Sequence, residues 1–212
     1  MNPMNVIFDI ETAPLPESEL IQFMPEFEAP ANFKDPEKIE AAIAAKRKAW
    51  IEDAALSPMT GRVLAVGLIV GDEFSCISEP GTETEILVRF WSAVCGSGGQ
   101  LQPLVGFNIN TFDLPFLIKR SWKRGVSIPV GVRRGRYWGD QIIDLRDVWQ
   151  MGDRQAPGSL DTIARHLGVG AKTGSGADFS ALWETYRTAA LAYLRNDLEL
   201  TKLIAERLGV LE

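Results

Sequence analysis

Acidic side chains occur at three separate places in the sequence, where a predicted strand ends or a predicted helix presents one face. Asp9 and Glu11 close a short apolar run, and a spacing of two residues directs both side chains to the same face of an extended chain. Asp113 follows another apolar run, and Asp197 comes four residues after Tyr193, so that carboxylate and phenol share one helix face. Oxygen ligands from separate elements suit Mg²⁺ or Mn²⁺, and clustered carboxylates repel one another without bound cations. The pattern therefore predicts a site for divalent metal ions.

Each of these motifs, taken alone, is also typical of a structural role. An Asp-x-Glu pair is common at solvated strand ends, and Asp113 is suited to cap the helix that follows it. Tyr193 is suited to fill a core beside an exposed acid. Their joint occurrence in one chain is what favours chemistry over these alternatives.

The composition is that of a folded protein with a substantial core. Of 212 residues, 46% are apolar and 24% are charged, which is enough for a single domain. The longest apolar run, Val63–Val70, has eight residues, whereas a membrane helix needs about 20. The N-terminus lacks the basic region of a signal peptide, and the two cysteines form no CxxC motif. We therefore expect a cytoplasmic protein with reduced thiols and no membrane association.

The net charge of −6 is unevenly distributed along the chain. Residues 1–60 carry the whole acidic excess, and acids and bases are balanced over 61–212. This distribution argues against a protein that coats nucleic acid by charge alone. It is compatible with carboxylates that bind cations, since two divalent ions add four positive charges.

Strands and helices are predicted from apolar periodicity and from capping or turn residues. Short apolar runs predict strands at 5–9, 62–70, 73–77, 101–107 and 142–145. Helical spacing and caps predict helices at 36–55, 82–94, 111–122, 159–167 and 188–208. Residues 13–60 begin with a proline-rich stretch and interrupt this order, so we interpret them as an insertion. The order predicts an α/β fold: a mixed β-sheet flanked by helices, with a helical insertion after the first strand.

The three motifs, in this order, resemble the Exo I, Exo II and Exo III motifs of the DEDD 3′–5′ exonucleases, which have the ribonuclease H-like (DnaQ-like) fold. The matching residues are Phe8–Thr12, Gly106–Asn108 with Phe112–Pro115, and Tyr193–Asp197, with weaker matches at Gly61–Val63 and Ser159–Asp161. Tyr193 corresponds to the DEDDy branch, and Ala192 stands where the histidine branch needs its histidine. Over residues 4–12 and 58–208 the chain is most similar to the proofreading exonuclease domain of family-B DNA polymerases and to small free-standing relatives of it.

The resemblance implies a two-metal mechanism with a role for each matched residue. Asp9, Glu11 and Asp197 would hold the ion that generates hydroxide, and Asp9 with Asp113 would hold the ion near the leaving 3′ oxygen. Tyr193 would orient the attacking water. The implied cofactors are two divalent cations, Mg²⁺ or Mn²⁺. These five residues are the predicted catalytic residues, and the four carboxylates are the predicted metal ligands.

Substrate contacts are predicted in two places. By resemblance, Asn108, Phe112 and Thr12 would contact the terminal nucleotides, although Phe112 is equally suited to the core. The segment 119–137 holds seven bases and no acid, with aromatic residues among them, which is typical of a groove that follows phosphates and stacks bases. A solvated helix end with a basic loop is the structural alternative. The nucleic-acid contacts expected in this segment are Arg133, Arg134 and Arg136.

These observations predict a metal-dependent 3′–5′ exonuclease that releases 5′-mononucleotides from single-stranded DNA, in DNA repair or replication. The same chemistry on RNA is the first alternative, since DNA and RNA differ at the 2′-hydroxyl. A non-catalytic nucleic-acid-binding module is the second, and its expected signature is loss of a carboxylate. An endonuclease of the ribonuclease H type also needs clustered acids, but it has no use for the Tyr193 and Asp197 pair.

The domain organisation follows from the same resemblance. We expect residues 1–212 to form one exonuclease domain that contains the insertion 13–60. The insertion is suited to form a lid over the strand, a docking site for a replication or repair protein, or a dimer contact. Its acidity disfavours direct wrapping of phosphates, which favours contact with a protein. A chain of 212 residues has no room for polymerase domains, so any proofreading would act on a strand made by another protein.

Overall fold

The computed structural model describes residues 4–78, 80–96, 99–129, 132, 141–153 and 155–211 of the chain. The chain divides into two compact units. The first unit combines Met1–Glu11 with Val63–Glu212, and the second is Thr12–Arg62. The second unit therefore coincides, within two residues at either end, with the segment 13–60 that interrupts the predicted order.

Five strands form one sheet: β1 (Val6–Pro14), β2 (Gly61–Val70), β3 (Glu73–Ser78), β4 (Leu104–Gly106) and β5 (Ile142–Asp144). Their order across the sheet is β3-β2-β1-β4-β5. β1, β4 and β5 run parallel, so their carboxyl ends lie at one edge, whereas β2 and β3 form an antiparallel hairpin. The predicted mixed α/β sheet is confirmed.

The described α-helices alternate with these strands and then follow them. They are α1 (Glu17–Leu20), α2 (Pro36–Asp53), α3 (Glu83–Ala93), α4 (Asp113–Arg124), α5 (Leu145–Gln150), α6 (Leu160–Leu167), α7 (Phe179–Thr185) and α8 (Arg187–Arg207). Local sequence explains several of their ends. Thr82 and Glu85 form a capping box at the start of α3, and Gly125 ends α4 in the left-handed conformation at φ 67°.

The core of the first unit lies between the sheet and its helices. Residues 63–69 of β2 are buried on both faces, which explains why the sequence there is continuously apolar and not alternating. Phe8 of β1 packs against Phe90 of α3, with ring centroids 5.4 Å apart. The strand that carries Asp9 and Glu11 is therefore anchored by its own apolar residues.

β4 is shorter than the predicted strand over 101–107. Leu101 forms an isolated bridge with Cys95, and β4 begins at Leu104. Pro103 separates the two pairings, and it has no backbone N–H to donate to a continuous ladder. Its carbonyl instead accepts a hydrogen bond from the backbone N–H of Val6 at 2.8 Å.

Three helices, α1, α5 and α7, were not predicted. The sequence favoured continuing β5 to Leu145, but Asp144 accepts a hydrogen bond from the backbone N–H of Arg146 at 2.9 Å and caps α5. α7 lies directly before α8 and packs on it through Phe179 and Trp183, which are both buried. A helix of seven residues shows little periodicity in the sequence, and its stability comes from this packing.

A buried ion-pair cluster joins α3 to α4. Glu83 accepts hydrogen bonds from Arg120 at 2.7 and 2.6 Å and from Arg124 at 2.8 Å, and the backbone N–H of Val63 donates to it at 3.0 Å. Arg120 is 1% exposed. Two of the seven bases of the segment 119–137 are therefore structural, and the interpretation of that segment as a phosphate groove is corrected for Arg120 and Arg124.

The second unit has a small apolar cluster of its own. Leu15, Leu20 and Ala54 are buried together, and Trp50 of α2 packs on them. Asp35 caps α2 by accepting from the backbone N–H of Glu37 at 3.0 Å. None of the residues of α2, all of which are described, is fully buried. The predicted apolar stripe on this helix is thus half-buried at best.

Gly67 of β2 lies where α8 crosses the sheet. A Cβ atom at this position would lie 2.5 Å from Cδ1 of Leu198 and 2.9 Å from Cγ of Leu194. Contacts this short force neighbouring atoms to move. The close approach of α8 to β2 therefore requires glycine, and α8 carries Tyr193 and Asp197.

We predict that Gly67→Ala destabilises the protein by about 1–3 kcal/mol, because the added methyl overpacks the contact between β2 and α8. Urea unfolding followed by circular dichroism measures this change. Gly96→Ala is the matched control, since its Cβ would lie in ordinary contact, 3.5 Å from the Gln102 side chain. Equal stability of the two variants would contradict the role assigned to Gly67.

Candidate active site

Three carboxylates meet beside the middle of β1, just past the point where the neighbouring strand β4 ends. Asp9 and Glu11 come from β1 and Asp197 comes from α8. One oxygen of each lies within 4.8 Å of an oxygen of the others, and Glu11 and Asp197 are buried while Asp9 is half-buried. The structure thus brings together three of the four predicted metal ligands.

This crowding changes the acidity of the carboxyl groups. Removal from water and then the charge of Asp197 raise the pKa of Asp9 to about 7. Burial, followed by the charges of Asp9 and Asp197, raises the pKa of Glu11 well above its usual range. The negative charges are poorly compensated by the protein alone. A site of this kind favours the binding of cations.

Asp113, the fourth predicted ligand, lies next to this cluster. It is the first residue of α4, is 3% exposed, and its Oδ1 accepts a hydrogen bond from the backbone N–H of Ile10 at 3.1 Å. Burial and then the charge of Asp9 raise the pKa of Asp113 well above its usual value. Because Ile10 stands between Asp9 and Glu11, this bond ties α4 to the segment of β1 that carries both carboxylates.

One carboxylate oxygen of Asp197 is suited to bind a cation. Oδ1 is buried and has no hydrogen-bond partner among the described residues, whereas Oδ2 lies 2.5 Å from the amine of Lys172. A buried carboxylate oxygen normally has a donor or a metal ion beside it. Hard oxygen donors of this type suit Mg²⁺ or Mn²⁺. Asp9, Glu11 and Asp197 therefore form a donor set that fits a divalent ion.

Tyr193 lies one helical turn before Asp197 and is almost fully buried. Its ring packs on Phe179 at a centroid distance of 6.0 Å, and Gly174 approaches its other atoms so closely that a Cβ there would lie 3.1 Å from Cδ2. Burial and then the charge of Asp197 raise the pKa of Tyr193. The hydroxyl is therefore a neutral hydrogen-bonding group, held in place on both sides.

Lys172 was missed by the sequence analysis. Its amine pairs with Asp197 and lies 5.1 Å from the centroid of the Tyr193 ring. Asp161 accepts from the backbone N–H of Lys172 at 2.8 Å, and Asn196 accepts from that of the next residue, Thr173, at 3.1 Å. The signal available in the sequence was Lys172 itself, the one basic residue of the glycine-rich loop 168–176, which precedes the Exo III motif. The loop places one positive charge against the carboxylates.

The loop before Asp113 is held by Asp144 at the end of β5. Asp144 accepts from the backbone N–H groups of Asn108 at 2.8 Å and Asn110 at 2.9 Å. Asn108 has a φ of 64°, which is uncommon for a residue other than glycine. Phe112 is half-buried and packs on Phe116 at a centroid distance of 5.6 Å. Asn108 thus lies at the same sheet edge as the carboxylates, and base contact by Phe112 stays a prediction.

The remaining predicted substrate contacts stay predictions. Arg133, Arg134 and Arg136 lie outside the described residues, and Thr12 is the first residue of the second unit. His166 is the one histidine of the chain, and it is exposed and packs edge-on against Trp149, with ring centroids 5.5 Å apart.

Comparison with known proteins gives the family. The profile of a family described as "Predicted 3'-5' exonuclease related to the exonuclease domain of PolB" matches residues 61–201. The chain belongs to this family. The match covers the Exo II and Exo III motifs and begins at Gly61, the first residue of β2. The sequence-based assignment to exonucleases related to family-B DNA polymerases is confirmed.

Two individual proteins are also similar to this chain. An uncharacterized protein of Methanocaldococcus jannaschii is 29% identical over 163 residues, which are 71% of this chain and 88% of that protein. The family B DNA polymerase of the hyperthermophilic archaeon Pyrobaculum calidifontis has a similar structure, with a TM-score of 0.63 at 18% identity. The similarity covers 99% of this chain and 25% of the polymerase. The predicted ribonuclease H-like fold is thereby confirmed.

Among the residues that the structure describes, the helices are too short or too polar to cross a membrane. This finding agrees with the absence of a long apolar run in the sequence.

We predict that binding of Mn²⁺ strengthens as the pH rises from about 6 to about 8, because the Asp9 proton, with a pKa of about 7, must leave before the carboxylate binds metal. Without metal, the raised pKa makes the folded state the better proton acceptor, so stability falls as the pH rises from about 4 to about 7. Thermal unfolding with Mn²⁺ and with EDTA at about pH 6 and about pH 8 measures the change in metal binding. Thermal unfolding in EDTA at about pH 4 and about pH 7 measures the change in stability without metal.

Two variants of α8 control this experiment. Asp197→Asn removes a ligand and abolishes the stabilisation by Mn²⁺, whereas Glu199→Gln changes an exposed acid two residues away that pairs with Arg195. Stabilisation by Mn²⁺ that is independent of pH, or that survives in Asp197→Asn, would count against this metal site.

Proposed function

We propose that this protein is a metal-dependent 3′–5′ exonuclease that removes 5′-mononucleotides from single-stranded DNA. The observation that carries the proposal is the convergence of Asp9, Glu11 and Asp197 within 4.8 Å beside Tyr193, in a chain of the PolB exonuclease-like family. All four acidic positions and the tyrosine are present. This completeness favours an active enzyme over a binding module on the same fold.

The proposed reaction is hydrolysis of the terminal phosphodiester. Water attacks the phosphorus atom, and the bond to the 3′ oxygen of the preceding nucleotide breaks, which releases a 5′-mononucleotide and leaves a new 3′-hydroxyl. Asp9, Glu11 and Asp197 would hold one divalent ion, and Asp9 with Asp113 a second. Bound at these positions, such ions activate water and stabilise charge on the leaving oxygen.

Tyr193 is proposed to orient the attacking water. Its raised pKa keeps the phenol protonated near neutral pH, so the hydroxyl acts by hydrogen bonding and not by removing a proton. Contacts with Phe179 and the glycine-rich loop fix the ring, which limits the positions that its hydroxyl can take. A rigid donor of this kind places the reacting atom without reorganisation.

The substrate strand is proposed to approach along the edge formed by the ends of β1, β4 and β5. Asn108 at this edge and Phe112 before α4 are the proposed contacts of the terminal nucleotides, with Thr12 and the arginines at 133, 134 and 136 as further proposed contacts. DNA is favoured over RNA because the family is related to a DNA polymerase domain. Residues 13–60, with Ile21, Leu56 and Met59 exposed, are proposed to contact a replication or repair protein, as part of one exonuclease domain.

The first experiment is a gel time course with 5′-labelled DNA and RNA oligonucleotides of one sequence, with Mg²⁺, Mn²⁺ or EDTA. We expect a descending ladder of single-nucleotide steps on the DNA, which EDTA abolishes. Asp197→Asn slows this reaction more than about 100-fold, since even outer-shell partners of metal ligands are worth 10–100-fold. Glu199→Gln retains the wild-type rate.

Three outcomes would oppose this proposal in different ways. Faster loss of the RNA would assign the enzyme to RNA trimming. A single internal cut would indicate an endonuclease. An unshortened strand with either metal would favour a nucleic-acid-binding module.

We predict that Tyr193→Phe lowers kcat about ten-fold or more while the stabilisation by Mn²⁺ persists, because the substitution removes one hydroxyl and keeps the ring packing. Single-turnover cleavage and thermal unfolding with Mn²⁺ measure the two effects on the same samples. Tyr186→Phe, at an exposed tyrosine before α8, is the control. An unchanged kcat in Tyr193→Phe would exclude the water-orienting role.

A further inference from the structure

Arg146 lies at the same sheet edge as the carboxylate cluster. β5 ends at Asp144, and Asp144 pairs with Gly106 at the end of the neighbouring parallel strand β4. Arg146 follows as the second residue of α5. Because β1 runs parallel to β4 with Ile7 opposite Val105, Asp9 lies in β1 just past the end of β4, at the same edge of the sheet as Arg146.

The positive charge of Arg146 is not neutralised by a described acid. Its guanidinium makes one hydrogen bond to the described residues, from Nη1 to the neutral amide oxygen of Asn108 at 3.0 Å. Its Nε is buried and has no partner among them. By contrast, Arg120, Arg124, Arg165 and Arg195 each lie beside a carboxylate. A half-buried guanidinium with donors to spare is suited to bind an anion.

The contact with Arg146 also fixes the amide of Asn108. Arginine can only donate, so the atom of Asn108 that faces it is Oδ1. Thr111 donates to the same oxygen at 2.6 Å. Nδ2 of Asn108 therefore points away from both donors, and none of the described residues accepts a hydrogen bond from it. The charged guanidinium of Arg146 and the neutral Nδ2 group of Asn108 are thus two hydrogen-bond donors held side by side.

The backbone holds this pair of side chains rigidly. Asp144 accepts from the backbone N–H groups of both Asn108 and Arg146, at 2.8 and 2.9 Å. Burial raises the pKa of Asp144, and its hydrogen bonds to three backbone N–H groups act in the opposite direction. Asp144 is thus committed to the backbone, which leaves the guanidinium of Arg146 free to bind a ligand.

We propose that Arg146 binds a backbone phosphate of the single-stranded substrate next to its 3′-terminal nucleotide, and that the same side chain orients Asn108 toward that strand. The proposal rests on the proposed exonuclease function and adds a residue outside the three acidic motifs. Guanidinium groups bind phosphate oxygens through two parallel hydrogen bonds, and such contacts fix the register of a strand without reading its sequence.

The test measures binding in the absence of cleavage. A 5′-fluorescent single-stranded DNA is titrated with protein in EDTA at several salt concentrations, and anisotropy gives Kd. We expect Arg146→Ala to weaken binding about ten-fold, and to reduce the slope of log Kd against log salt by about 0.7, the value for one phosphate contact on a single strand. Arg146→Lys keeps the slope because it keeps the charge. Arg89→Ala, at an exposed arginine of α3, controls for a general loss of positive charge.

A double-mutant cycle with Asn108→Ala separates the two parts of the proposal. If Arg146 binds phosphate itself, Arg146→Ala weakens binding and lowers the salt slope in the Asn108→Ala background as well. Coupling between the two substitutions reports the orientation of the amide. An unchanged slope in both backgrounds, or an equal effect of Arg89→Ala, would overturn the proposal.

The same samples distinguish failure of this proposal from failure of the proposed function. Wild-type protein that shortens DNA with Mg²⁺ while Arg146→Ala binds normally would overturn the role of Arg146 alone. Wild-type protein that binds DNA but does not shorten it would overturn the exonuclease function and leave the phosphate contact standing. Thermal unfolding of each variant identifies any loss of fold.

Discussion

The carboxylates of Asp9, Glu11 and Asp197 repel one another, and the surrounding elements must hold them together against this repulsion. Like charges this close are costly away from water, as the raised pKa values of Asp9 and Glu11 show. The fold holds them together through apolar packing elsewhere. β1 is anchored by its buried apolar residues, and α8 packs closely on β2 at Gly67. The core thus stabilises a site that is unfavourable by itself, which is common where strain serves function.

Lys172 compensates part of this charge and explains why the glycine-rich loop matters. One ammonium group pairs with Oδ2 of Asp197, but Oδ1 of the same carboxylate lacks a described partner, and the pKa of Asp9 stays near 7. A single positive charge is therefore insufficient for the cluster. Divalent ions would bring two positive charges each and would therefore compensate the carboxylates more fully than the single charge of Lys172 does.

Local patterns predicted the parts of the protein that depend on neighbours in sequence. The spacing of Asp9 and Glu11, and of Tyr193 and Asp197, follows from strand and helix periodicity, and the mixed sheet follows from the order of elements. Several of the parts that were missed depend on contacts that the local sequence does not show. α7 is stabilised by packing on α8, and Lys172 is brought to Asp197 by a loop without periodicity. Glu83 pairs with Arg120 and Arg124, so these two arginines of the segment 119–137 are not available to a ligand. Charge counts along a sequence do not show which charges are already paired.

Four described positive charges of the first unit have different roles. Arg120 and Arg124 are neutralised by Glu83 and hold α3 against α4, so they are not available to a ligand. Lys172 and Arg146 stand at the carboxyl edge of the sheet, the first against the carboxylates and the second beside Asn108. Under the proposed function, a polyanionic strand would be repelled by the acidic cluster and attracted by Arg146, so a phosphate bound near Arg146 would leave the terminal phosphodiester to meet the carboxylates with cations between them. The unequal charges at this edge would then orient the strand before any base is contacted.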